Sequence, residues 1–179
     1  MLLAPVVSAS PVGLPTCSAK QLAFRYGNVY GGMNHAGYRL ILRNAGAACS
    51  LGGYPVVVGT FTAFKWQTMS ASQTPRGYLG GAGKAATVRV ARGASISTLF
   101  EGIGASVDPY NMSCQPYDTL TITLPGDAGS LTKQWPSREY WLCDASVHPL
   151  TAGTTGGAYT PDDKEPVASD PWPWPTVAP

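Results

Sequence analysis

Two histidines, four cysteines and ten carboxylates in 179 residues are all that the chain offers for metal or acid–base chemistry. His35 and His148 stand alone: neither has a second histidine or a carboxylate at metal-ligand spacing. Each is therefore read as a hydrogen-bonded structural or surface residue rather than a ligand or general base. No G-x-S-x-G elbow occurs, so a serine hydrolase has no local signature here. A hydrolase would have to gather Asp118, Asp144 or Glu101 with His35 or His148 from distant parts of the chain. The run "GYLGGAGKAAT" (77–87) resembles a phosphate loop only superficially. Ala85 follows Lys84 where a magnesium-binding hydroxyl belongs, and Tyr78 stands where the first glycine belongs. It is read as a flexible loop. Asp162, Asp163 and Glu165 read as a solvated acidic stretch rather than a cation site, and Asn111-Met112-Ser113 as a loop rather than a glycosylation acceptor. No catalytic residue, metal or cofactor is expected.

The four cysteines, Cys17, Cys49, Cys114 and Cys143, are widely spaced and contain no C-x-x-C, which removes zinc-ribbon and thioredoxin-like readings. Two structural disulfides in an oxidising compartment are expected. Of the three possible pairings, Cys17–Cys49 and Cys114–Cys143 each close a loop of about 30 residues between neighbouring segments, worth roughly 3–4 kcal/mol on the chain-entropy model. Cys49 begins the corner "CSLGGYP", where Gly52 and Gly53 let the backbone turn sharply beside the bond.

The five tryptophans divide by neighbourhood. Trp141 fits a sandwich core beside a disulfide. Trp66 and Trp135, in turn-rich segments beside Lys65 and Lys133, are candidate contact residues. Trp172 and Trp174 lie in "PWPWP", a stiff strip suited to recognition.

These residues need a scaffold, and its elements read as strands. Charged residues make up only 12% while Gly (21) and Pro (16) are frequent, which favours an all-β domain with polar Ser/Thr faces. "TLTITLP" (119–125) alternates cleanly, with Leu120, Ile122 and Leu124 inward and threonines outward. Further strand signals lie at 20–28, 38–44, 54–64, 86–92, 94–100 and 138–150, separated by glycine-rich turns, and none shows helical periodicity. About seven strands at this spacing predict an antiparallel, immunoglobulin-like β-sandwich, with a barrel as the alternative. The net charge of +2 comes from scattered basic residues and excludes a nucleic-acid partner. No stretch reaches the ~18 apolar residues of a membrane span. Residues 1–13 read as an apolar segment and a candidate signal-peptide remnant, without a basic start. The sequence Leu14-Pro15-Thr16-Cys17 places threonine where a lipid-attachment box needs a smaller residue, so Cys17 is assigned to a disulfide. The domain is expected over 14–155, followed by a Pro/Trp-rich tail at 156–179.

Four motifs stand in order: "NAGAACSLGGYPVV" (44–57), "TVRVARGASISTLF" (87–100), Cys114 with "TLTITLPG" (119–126), and "YWLCDASVHPLTAG" (140–153). Together they resemble a secreted actinobacterial domain family of unknown function, over about residues 14–155. The resemblance implies an immunoglobulin-like sandwich, export, frequent lipid anchoring and no established activity. The chain departs from it in its weak leader and in the long stretch 64–81. The expected function is an exported, non-catalytic, monomeric module that binds a protein, a glycan or a small apolar ligand of the cell envelope. The alternative is a secreted hydrolase with a dispersed His/carboxylate site.

Overall fold

The computed structural model describes residues 13–64, 68–81, 83–106, 116–137 and 140–154. They are all-β, with two single-turn 3-10 segments and no α-helix. No helix among them is long and apolar enough to cross a membrane. Among these residues twelve strands replace the seven or so expected: each predicted run holds one strand, and five short ones, at 49–52, 68–70, 72–73, 130–134 and 151–152, lie outside the predicted runs.

β1 (Leu22–Gly32) and β2 (His35–Asn44) form a hairpin closed by Met33 and Asn34. Both turn residues have positive φ, 46° and 67°, the left-handed pair that matches the twist of the flanking strands. The hairpin joins β8 (Ser95–Ser106), β11 (Tyr140–Val147) and β6 (Ser72–Gln73) in one sheet, and β12 (Thr151–Ala152) also pairs with β8. A second sheet runs in the order β10 (Ser130–Gln134), β9 (Thr119–Thr123), β4 (Val56–Thr60), β5 (Thr68–Ser70). β3 (Cys49–Gly52) and β7 (Thr87–Val90) make a separate two-stranded ribbon. Among the described residues all pairings between these strands are antiparallel except β6 with β11, a departure from the purely antiparallel expectation. The cause is local. β5 pairs with β4, the Ala71 amide donates to the Val57 carbonyl, and the chain then crosses to the other sheet.

The core lies between the sheets. Leu120 and Ile122 of β9 and Val57 of β4 are fully buried against Leu40, Leu42, Phe100 and Leu142. The outward threonines follow the predicted alternation, and Thr121 and Thr123 pair with the hydroxyls of Thr132 and Ser130 at 2.8 and 2.9 Å. Trp135 occupies the centre of an aromatic cluster, in edge-on contact with Tyr26, Tyr38, Phe100 and Tyr117. At 4% exposure it belongs to the core, not to a contact surface. Trp141 packs against the same core and donates its indole N–H to the Tyr117 carbonyl at 2.7 Å.

The predicted Cys17–Cys49 disulfide is present. It fastens the segment before β1 to β3, where Cys17 and Ser50 amides bond to the Ser50 and Pro15 carbonyls. Asn44, fully buried, completes the corner. Its amide donates to the Ala47 and Val90 carbonyls, and its oxygen accepts from Gly46 and Gln21. Gly53 turns with φ at 94°, as the corner requires. No cysteine among the described residues is free. The second expected bond has one end, Cys114, outside the described residues, as are Trp66, Trp172, Trp174, Asn111, Asp162 and the segments 1–12 and 155–179.

Candidate functional site

The outer face of the larger sheet, away from the core, carries ionisable side chains that are nonetheless buried. Side chains of odd number on β2 and β8 point this way: Arg39 beside Leu99, Gly37 beside Glu101, His35 beside Ile103. Arg39 is 1% exposed and Glu101 2% exposed. Buried charge is costly unless it is bonded, so what covers these groups defines the site.

The cover is the turn 74–81, which continues from β6. Thr74 donates to the Val147 carbonyl, and Gly77 donates to Gly80, closing a tight turn around Tyr78 and Leu79. Leu79 fills the slot left by Gly37, where a Cβ would come within 2.9 Å of it. Its backbone N–H donates to Glu101 Oε2 at 2.6 Å. Glu101 Oε1 lies 2.7 Å from Nε2 of His148, a residue that follows β11 and is held by its own amide on the Leu99 carbonyl. Thr98 Oγ1 donates to the His148 carbonyl at 2.6 Å. Two glycines close directly over the pair. A Cβ on Gly77 would collide with Glu101 Oε1, and one on Gly81 would sit 2.4 Å from His148 Nδ1. That Nδ1 is buried and has no hydrogen-bond partner among the described residues. On the outside of the turn, Tyr78 stacks on His35 with ring centroids 4.0 Å apart and planes 12° from parallel. Arg39 leans over the Tyr30 ring at 5.7 Å. Its burial lowers its pKa from the ordinary arginine value, and Tyr30 partly offsets this.

The structure thus brings together two members of the dispersed acid–base set, Glu101 and His148, and separates the rest. Asp118 accepts from the amide and hydroxyl of Thr62 in a loop, Asp144 is exposed at a strand irregularity, and His35 is taken up by Tyr78. A carboxylate on an imidazole is the orienting half of an acyl-transfer base. With the turn closed, the two side chains are only 1% and 3% exposed, and Gly81 covers the nitrogen a nucleophile would need. In this conformation the pair holds a turn in place. No group of three or more His, Cys, Asp or Glu side chains among the described residues could hold a metal ion.

Sequence reasoning missed Gly77, Tyr78, Leu79 and Gly81, having taken "GYLGG" for a flexible loop. The one available signal was a Tyr-Leu pair bracketed by glycines, the composition of a turn that must lie flush on a sheet.

These features define an all-β, sandwich-like, disulfide-bonded domain with a glycine turn latched onto one sheet face. No protein-family model matches the chain, and no match was found among curated proteins or solved structures.

Proposed function

We propose that this chain is an exported, non-catalytic recognition module, an immunoglobulin-like sandwich that meets a protein of the cell envelope through the rim around Tyr78. One observation carries the reading: Tyr78 is held against His35 by a turn anchored on Glu101, with exposed apolar side chains beside it. Tyr78 is 50% exposed, Ile103, paired with His35 across the strands, 42%, and Met33, at the adjoining hairpin turn, 86%. A rigid aromatic flanked by aliphatic and methionine side chains is what protein interfaces enrich at their centres. Because the turn fixes the ring beforehand, little side-chain entropy is left to lose on binding. The Cys17–Cys49 bond supports export, and a Cys114–Cys143 bond and the likeness to secreted actinobacterial domains form part of the same reading. Retention of purified protein on isolated cell envelope tests it. Tyr78→Ala combined with Ile103→Ser should abolish retention while the fold persists. Retention equal to the parent chain would remove this rim from the account, and loss only on deletion of 160–179 would move recognition to Trp172 and Trp174.

The 2.7 Å contact between Glu101 and His148 favours one second reading, a secreted hydrolase whose turn opens to admit substrate. Profiling against ester, glycan and peptide substrates, with His148→Gln as control, decides it: turnover lost in that variant would establish the hydrolase.

A further inference from the structure

Charge is divided unevenly along the chain. Residues 1–154 carry eleven Lys/Arg against six Asp/Glu, whereas residues 155–179 carry Lys164 against Asp162, Asp163, Glu165 and Asp170. Part of the positive excess gathers at one corner of the fold. On the outer face of the larger sheet, register sets Arg25 of β1 beside Ile41 of β2, and Arg43 of β2 beside Ser95 of β8. Arg92 stands in the turn that joins β7 to β8, where the Gly93 carbonyl accepts from Arg43 Nε at 3.2 Å. All three arginines are exposed, and among the described residues none has a carboxylate within ion-pair distance. Glu101 shares the face but lies six residues further along β8, where Leu79 and His148 take up both its oxygens. We infer that this arginine corner is the seat of the chain's own acidic segment, residues 162–170.

Distance and charge both favour that occupant. β12 pairs with β8 on the side opposite β2, and just after it the Gly153 amide donates to the Ser95 carbonyl at 2.9 Å. Ser95 is also the register partner of Arg43. The chain therefore passes residue 153 about two strand spacings, roughly 10 Å, from Arg43. Asp162 follows eight residues after Thr154. For a tether of that length, containing Gly156 and Gly157, the mean span is roughly 16 Å. Tether and gap are matched, the condition under which effective concentration peaks, in the millimolar range. The neighbours of Arg43 in register, Ala23 and Ser95, are too short to cover its guanidinium. A planar guanidinium fits a carboxylate through two parallel hydrogen bonds. One exposed pair of this kind contributes little, but several on one short tether act together. The corner is separate from the Tyr78 rim, since His35 and Ile103 lie at the opposite ends of β2 and β8.

Seating the acidic segment withholds the neighbouring peptide bond after Tyr159 from a protease and keeps Trp172 and Trp174, just beyond Asp170, beside the domain. Chymotryptic cleavage after Tyr159, followed by mass on the full-length protein, tests it. At about 20 mM salt, where screening is weak, the parent should be cut about three- to tenfold more slowly than Arg25→Gln/Arg43→Gln/Arg92→Gln. Near about 500 mM salt the difference should vanish. The substitutions leave the cleaved segment unaltered, so its intrinsic susceptibility is the same in both proteins. A second measurement keeps the arginines intact. In low salt, Asp162→Asn/Asp163→Asn/Glu165→Gln/Asp170→Asn should move the backbone amide resonances of Arg25, Arg43 and Arg92 and leave those of Leu79 and Ile103 in place. Equal cleavage rates for the parent and the arginine variant at low salt overturn the seat. Resonance changes that bypass all three arginines overturn it as well. Neither result bears on the rim, which is judged by partner retention with Tyr78→Ala and Ile103→Ser.

Discussion

Glu101 and His148 are 47 residues apart in the chain and 2.7 Å apart in the fold. β8 supplies one and the exit from β11 the other, and the antiparallel pairing of those strands brings them level. A buried pair of this kind is rarely the most stable filling for its volume. What it contributes is a fixed seat for the 74–81 turn. Removing one partner strands the other, so Glu101→Ala should cost about 3 kcal/mol in urea denaturation. Gly81→Ala acts on the turn alone, since φ is +139° there and a Cβ strikes His148 Nδ1. The expected result is a displaced Tyr78, read as loss of the ring-current shift on His35, with the core transition nearly unchanged.

Tyr26 gives an alkaline signature. Its hydroxyl is buried without a partner among the described residues, and burial first, then the neighbouring Tyr38, raises its pKa above the ordinary tyrosine value. A raised pKa on an acid means that the folded state keeps a proton the unfolded chain gives up. Stability from this source is intact below the unfolded value of about 10 and declines as pH rises beyond it. Tyr26→Phe removes the unpaired hydroxyl and keeps the ring contacts with Phe24, Tyr38 and Trp135. It should be neutral or up to about 1 kcal/mol stabilising at pH 7. It should also flatten the alkaline limb of a stability–pH curve; an unchanged limb would assign that limb to another group.

How far the sequence foretold these features depends on the range of the interaction. The alternation in "TLTIT" encodes its own facing, and β9 obeys it with Leu120 and Ile122 inward. Cys17 and Cys49 were legible because an even, sparse cysteine set with a glycine corner leaves few sensible pairings. The contact of Glu101 with His148 was visible only as two members of a larger set, because the register of β8 on β11 selects them and has no local mark. Glycines at 77 and 81 misled for a physical reason: a backbone free to move and a backbone pressed against a carboxylate or an imidazole both demand the absent Cβ. Trp135 misled because Lys133 and Pro136 place it beside polar, turn-forming residues, whereas the sheet end folds its ring inward.

That inward ring leads to the next expectation. Trp135 touches four aromatic rings at the middle of the core, so Trp135→Ala should destabilise the domain by about 3–5 kcal/mol. Trp135→Phe should cost less, because most of the edge-on packing survives with a smaller void. A contact-surface tryptophan would behave otherwise, with stability preserved and partner retention lost. Thermal melts of the two variants, run beside the retention assay, separate these outcomes.

The Cys17–Cys49 bond and Asn44 secure the same corner by different means, which makes their combination informative. The bond spans 32 residues of sequence, so opening it should cost roughly 3–4 kcal/mol through the freedom gained by the unfolded chain. Asn44 acts in the folded state: its side chain satisfies the Ala47 and Val90 carbonyls and the Gly46 amide in a buried setting. Asn44→Ala takes the acceptor from the Gly46 amide and a donor from the Val90 carbonyl, leaving Ala47 only the Gln21 side chain, for about 1–3 kcal/mol. Its amide also reaches Cys49 Sγ at 3.6 Å, and the groups share one pocket, so the two losses should not simply add. Urea titrations of the parent, Cys17→Ser/Cys49→Ser, Asn44→Ala and the triple variant give the coupling directly. A coupling of at least about 0.5 kcal/mol is expected, because once the bond is gone β3 can shift and expose the Asn44 partners to water. Strict additivity would mean that the hydrogen-bonded corner holds its shape without the sulfur bridge, and that the bridge acts on the unfolded chain alone.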